Sequence, residues 1–175
     1  MTRLASTDVM DLLGVPWAAG GRDPTRGLGC YGLVVEIYRR AGLAAPSLWR
    51  PATDGSDLPQ FCATLLASLS AHWEAIPSPE ALALINLPSP WIDGGGHCGV
   101  YLADGIVAHA IMSAGVIFEP WVRVAPRARG CYRLRPIVDG GWPYENRPCR
   151  YDSARDDSPA PPPWDRLNGG STVGP

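Results

Sequence analysis

A cysteine that opens a helix is a candidate nucleophile, and Cys30 has that setting. It follows a glycine-rich stretch, Gly14 to Gly29. It begins the run Cys30-Tyr-Gly-Leu-Val-Val-Glu-Ile-Tyr-Arg-Arg-Ala41, where Cys30, Leu33, Val34, Ile37 and Ala41 recur at steps of three and four. The positive end of a helix dipole stabilises a thiolate and so lowers the thiol pKa, and the N–H groups of the first turn can also receive an oxyanion. Such a nucleophile needs a base, and the base needs something to orient it. The chain has three histidines, at 72, 97 and 109. His72 reads as a surface residue beside a helix. His97 opens a strand right after Gly94-Gly95-Gly96, and His109 lies in the strand that follows.

Whether the two imidazoles meet depends on one turn. A two-residue turn at Asp104-Gly105 would pair 103 with 106 and send the histidines to opposite faces. A three-residue loop, Ala103-Asp104-Gly105 with Gly105 left-handed, pairs 102 with 106 instead. Residue 99 then faces 109, and His97 and His109 become diagonal neighbours, about 7–8 Å apart at Cα and within side-chain reach. Gly99, Tyr101 and Val107 share their face, while Cys98, Val100, Leu102, Ile106 and Ala108 point the other way, into the core. A Cys-His-His arrangement is possible only with the longer loop.

The elements that must position these residues are legible from periodicity. A short helix is expected over 6–13, capped by Ser6 or Thr7, then the glycine-rich loop, then the helix over 30–41 with Gly42 at its C′ position. A second helix is expected over 58–73, where Leu58, Phe61, Cys62, Leu65, Leu66 and Leu69 form a stripe. Strands are expected over 81–87, 98–103, 106–111, 114–119 and 131–137. Helices followed by a run of antiparallel strands make the fold class α+β, in a domain over residues 1–137. Residues 138–175 hold seven Pro and five Gly without a sustained period, which reads as an extended tail.

Composition narrows the function classes. Net charge is −2, from 15 basic and 17 acidic residues, which argues against nucleic acid as the main partner. No apolar run reaches the roughly 18 residues of a membrane span, and the first residues lack the apolar stretch of a signal peptide. Synthesis as a cytoplasmic product is the expectation, with no membrane insertion. Five cysteines (30, 62, 98, 131 and 149) without regular spacing do not suggest a disulfide framework. No Cys-x-x-Cys or His-x-x-x-His spacing suggests zinc, so no metal and no cofactor is expected.

Four segments carry a family resemblance: Leu13-Gly-Val-Pro-Trp-Ala-Ala-Gly-Gly21, Gly27-Leu-Gly-Cys-Tyr-Gly-Leu-Val34, His97-Cys-Gly-Val-Tyr-Leu102 and Val107-Ala-His-Ala110. They resemble the NlpC-type peptidases, papain-like cysteine peptidases that cut the stem peptides of bacterial peptidoglycan. The family pattern is a G-x-P-Y-x-x-G-G loop, a G-x-D-C-S-G-L-V helix start, an H-V-G-I-Y strand and a later H-A. The resemblance spans about residues 12–137. It implies a papain-like fold with Cys30 as nucleophile, His97 as base and His109 as the residue orienting it.

Three positions depart from the pattern. The family's Asp before the nucleophile is Gly29 here, its following Ser is Tyr31, and the Tyr of its P-Y step is Trp17. These three are the candidate substrate-binding positions. In the family the Asp and Tyr help hold the free amino end of the stem peptide, so a blocked or cross-linked peptide is the expected substrate here. Related peptidases occur in phage tail tips and gene-transfer particles, which implies carriage on a virion tail and docking to tail-tip or hub proteins, through residues 138–175. A structural tail-tip component built on the peptidase fold, an injected interbacterial toxin, and an acyltransferase or thioesterase with the same Cys-His pair are the alternatives.

Overall fold

The computed structural model describes residues 3–46, 69, 71–89 and 96–135. The tail over 138–175, most of the helix expected over 58–73, Cys62 and Cys149 lie outside the described residues. A 3-10 helix, Ser6–Leu12, leads into a loop with a small ribbon, β1 (Arg22–Asp23) and β2 (Gly27–Leu28), and then into α1 (Cys30–Arg40). Six strands follow: β3 (Trp73–Ile76), β4 (Leu84–Pro88), β5 (Gly96–Tyr101), β6 (Ile106–Ile111), β7 (Gly115–Pro120) and β8 (Gly130–Leu134). They form one antiparallel sheet in the order β3-β8-β4-β5-β6-β7. The expected α+β class is what the chain adopts. Among the described residues no helix is long and apolar enough to cross a membrane.

Helix α1 forms because its apolar positions fall on one stripe and its ends are closed. Leu33, Val34, Ile37 and Tyr38 are fully buried against Leu84, Cys98, Val100, Ala108 and Ala110 of the sheet. Burying each such aliphatic side chain contributes about 1.5–3 kcal/mol. At the C-terminus, the N–H of Leu43 donates to Tyr38 O (2.8 Å) and that of Gly42 to Arg39 O (3.1 Å), the pair of bonds that ends a helix through a left-handed glycine. Arg40 reaches both Glu36 (2.8 Å) and Asp11 (2.6 Å), tying α1 to the 3-10 helix. The opposite sheet face buries Ala83, Ile85, Leu87, Val107 and Cys131 under Val124 of a one-turn helix, Trp121–Val124.

The β5–β6 hairpin takes the three-residue loop. Gly105 has φ +80°, a conformation that costs other residues about 1–2 kcal/mol. Leu102 N–H donates to Ile106 O at 2.7 Å, and the ladder places Gly99 opposite His109. The N-terminal segment braces this loop. The Ser6 hydroxyl and N–H both donate to the Asp104 carboxylate, at 2.5 and 3.0 Å, and Ala103 N–H donates to Leu4 O.

Several expectations are corrected. The first helix is 3-10, and Ser6 is engaged with Asp104, so neither it nor Thr7 is the cap; Asp8 instead accepts the N–H of Ala5 at 2.8 Å. Leu69, Ala71 and His72 are helical, but Trp73 starts a strand, pairing with Leu134. The ladder with β8 and the burial of the Trp73 indole edge-on to Tyr31 prevail over the local helical period. β5 begins at Gly96, two residues before the expected start, so His97 lies inside the sheet.

Candidate active site

Cys30 is the first residue of α1, with Gly29 as an N-cap that carries no side-chain hydrogen bond. The loop before it is clamped at both ends. Gly14 N–H and Val15 O bond to Val116 of β7 (2.9 and 2.8 Å), while Leu28 N–H donates to Pro16 O and Gly29 N–H to Gly21 O (2.9 and 3.0 Å). The helix N-terminus is therefore held to the loop and, through it, to the sheet.

The Cys30 sulfur meets two consecutive residues of β5. The Cys98 thiol hydrogen-bonds to it, as does the His97 imidazole, and Cys98 also does so through its backbone. The β5–β6 ladder runs from Tyr101↔Val107 to Gly99↔His109, which leaves Cys98 N–H, directed toward β6, outside that ladder. The thiol is held well below its ordinary pKa. The Cys98 hydrogen bond contributes most to this, against the opposing effect of burial, and the bond from His97 and the charge His97 takes up with the thiol proton add to it. Cys30 remains partly exposed, whereas Cys98 and Cys131 are buried.

The two histidines lie side by side, with His97 Nε2 and His109 Nδ1 3.0 Å apart. His109 Nε2 is 2.6 Å from Glu119 Oε2, the same carboxylate oxygen to which Arg127 donates. Both imidazoles are almost wholly buried. Burial, foremost, together with the neighbouring His97 and Arg127, pushes His109 down to about 4 against the pull of Glu119, so it is neutral at neutral pH. Burial raises the Glu119 carboxyl, but its bonds from His109 and Arg127 prevail and hold it below its ordinary value. Cys30, His97, His109, Glu119 and Arg127 thus form one continuous line across α1, β5, β6, β7 and the turn that follows.

The three candidate substrate positions separate. Trp17 is half-buried and bridges to Leu28, two residues before Cys30. Gly29 is buried, and a Cβ there would lie 3.0 Å from Ala18 O, a tight contact that the loop would have to relieve by a few tenths of an ångström. Tyr31 is a core residue: only 2% exposed, its hydroxyl donates to Pro46 O (2.6 Å) and its ring packs on Trp73. Its expected role at the substrate is corrected to packing, because the second position of α1 faces inward.

Sequence reasoning missed Cys98 as a partner of Cys30, and Glu119 and Arg127 altogether. Glu119 had a readable signal. With Ile111 opposite Gly115, residue 117 faces His109 and residue 119 is its diagonal neighbour on the same face. Among the described residues no group of three or more His, Cys, Asp or Glu could hold a metal ion.

Helix α1 on the antiparallel sheet, with a thiol at the helix N-terminus and two histidines on the sheet, defines an α+β domain. The chain is similar in structure to NlpC/p60 domains. One is the NlpC/p60 domain of the peptidoglycan hydrolase SagA, at 19% identity and TM-score 0.47, covering 73% of this chain and 94% of that one. A lipoprotein-like NLP/P60 protein of Staphylococcus aureus shares 24% identity at TM-score 0.46, and an NlpC/P60 protein of Bacillus cereus 20% at 0.48. The matches cover 74% and 75% of this chain but only 40% and 41% of those proteins. No protein-family model matches the chain, and no curated protein matches it in sequence.

Proposed function

We propose that the protein is a cysteine-dependent hydrolase of amide bonds in peptidoglycan stem peptides. The observation that carries this is the hydrogen-bonded line from the Cys30 thiol through His97 to His109 at the start of α1. In this mechanism His97 takes the Cys30 proton, and the thiolate attacks the scissile carbonyl carbon. The tetrahedral oxyanion is received by N–H groups at the helix start. The His97 imidazolium then protonates the leaving amine as the C–N bond breaks, which leaves a thioester on Cys30. Water, deprotonated by His97, cleaves the thioester and releases the acid.

The substrate class follows from the motifs around Cys30, His97 and His109. Gly29 supplies no carboxylate to hold a free amino end, and the Ala18 carbonyl crowds the space beside it. The preferred bond accordingly lies in a blocked or cross-linked peptide. Purified peptidoglycan digested with the protein should release fragments whose masses mark cleavage inside the stems, and the Cys30→Ala protein should release none. Sacculi left intact by the unaltered protein would defeat the proposal in favour of a structural component built on the same fold.

Carriage on a phage or phage-like tail tip is the proposed delivery route. Its support is residues 138–175, where Trp142, Tyr144, Tyr151 and Trp164 are spaced along a proline-rich chain suited to anchoring in a partner's grooves. Protein truncated at Val138 should keep its melting temperature and its peptidoglycan cleavage yet fail to join particles. Normal incorporation of the truncated protein would rule the docking role out.

A further inference from the structure

We infer that Glu119, held by Arg127, is a positioning residue that fixes the tautomers of both histidines, leaving the lone pair of His97 on the nitrogen available to Cys30. The inference rests on the hydrolase assignment for its consequence in catalysis, and on the hydrogen-bond geometry together with the buried, neutral state of His109 for the tautomers.

Three hydrogen bonds connect Glu119 to Cys30 through the two histidines. An ionised carboxylate only accepts, so the 2.6 Å contact requires a proton on His109 Nε2. A neutral His109 has one ring proton, and its Nδ1 is therefore a bare acceptor. The 3.0 Å contact between His109 Nδ1 and His97 Nε2 needs one donor, which must then be His97 Nε2–H. A neutral His97 with its proton on Nε2 has its lone pair on Nδ1, the ring nitrogen left for the Cys30 sulfur. Proton transfer from Cys30 to His97 then needs no other proton to move, and the imidazolium formed already donates to His109.

Without Glu119 this order is lost. His109 could carry its proton on Nδ1 and donate to His97 Nε2, which would place the His97 proton on Nδ1, facing the thiol. That tautomer cannot accept the Cys30 proton. Among the described residues, the groups bonded to Glu119 are His109 on β6 and Arg127 beyond the one-turn helix. Arg127 keeps the carboxylate ionised and pins the oxygen that His109 uses, since both bonds go to the same Oε2.

Nitrogen-15 NMR of the full-length Cys30→Ser protein near pH 7, where no thiol hands His97 a proton, reads the tautomers directly, independent of any substrate. Both His97 and His109 should show a protonated Nε2 and a bare Nδ1 in the resting neutral state. Glu119→Ala should shift His97 toward the Nδ1–H form, while Glu119→Gln, whose carbonyl can still accept from His109, should largely restore the original pattern. On solubilised cross-linked muropeptides, Glu119→Ala should lose on the order of 10- to 100-fold in kcat with KM little changed, with Gln in between. The pH midpoint of Cys30 alkylation should rise in Glu119→Ala. A protonated Nδ1 on His97 in the Cys30→Ser protein with Glu119 intact overturns the inference, even if neither Glu119 variant folds. Unchanged tautomers in folded Glu119→Ala overturn it equally. Correct tautomers together with an absence of any peptidoglycan cleavage would instead sink the hydrolase assignment and leave the role of Glu119 in tautomer choice supported.

Discussion

Replacing His97 by alanine should lower kcat/KM on muropeptides by at least about 10³-fold, because positioned general acid–base groups contribute roughly 10²–10⁴ and His97 serves in both half-reactions. The loss should exceed that of base catalysis alone, since His97 also supplies a hydrogen bond and, once it holds the thiol proton, a positive charge that help keep the Cys30 thiol below its ordinary pKa. His109→Ala should retain a measurable fraction of activity. Its neutral ring accepts from His97 and passes the influence of Glu119, but no proton of the reaction ends on it. Initial rates and alkylation of Cys30 across pH, measured on both variants, separate the two roles. Full activity in His97→Ala would remove the mechanism, and equal, complete loss in both would mean that His109 does more than orient.

The largest structural effect is expected at Gly32. A Cβ at this position would lie 1.8 Å from Gly21 O and 2.9 Å from Gly21 C. Both are backbone atoms, so no rotamer change relieves the overlap. The loop would have to retreat from α1, straining the 3.0 Å bond from Gly29 N–H to Gly21 O that holds the residue before Cys30. Overpacking against side chains typically costs about 1–3 kcal/mol, and a backbone clash belongs at or above the upper end. At about 2–4 °C per kcal/mol for a chain of this size, Gly32→Ala should melt roughly 6–12 °C lower. It should also lose activity through displacement of Cys30. Thermal unfolding within about 2 °C of the unaltered protein would show that the loop yields freely and that the clamp is unimportant.

Helix α1 and its glycine stop were readable from the chain itself, and the hairpin that brings His97 beside His109 was one of two registers the chain allowed. Each is encoded within a dozen residues: a three-and-four apolar period from Cys30 to Ala41, Gly42 at the left-handed position, and Gly105 in a loop whose length sets the register. Local dihedral preferences and side-chain alternation act over that distance, so sequence alone determines the first two and narrows the third to two loop lengths. The sheet order did not follow. β8 inserts between β3 and β4, and Trp73 leaves a helical period to pair with Leu134, some sixty residues away. Tyr31 looked like a substrate contact from its place beside Cys30, yet Pro46 and Trp73 claim it for the core. Cys98 read correctly as a buried residue, but that burial sets it against the Cys30 sulfur. Glu119 was one acidic residue at a strand end until the β6–β7 register placed it diagonal to His109. Tertiary structure alone decided these, because they depend on which distant strands pair and where the helix N-terminus lands on them. Those choices arise from burial summed over the whole core, which no short window of sequence contains.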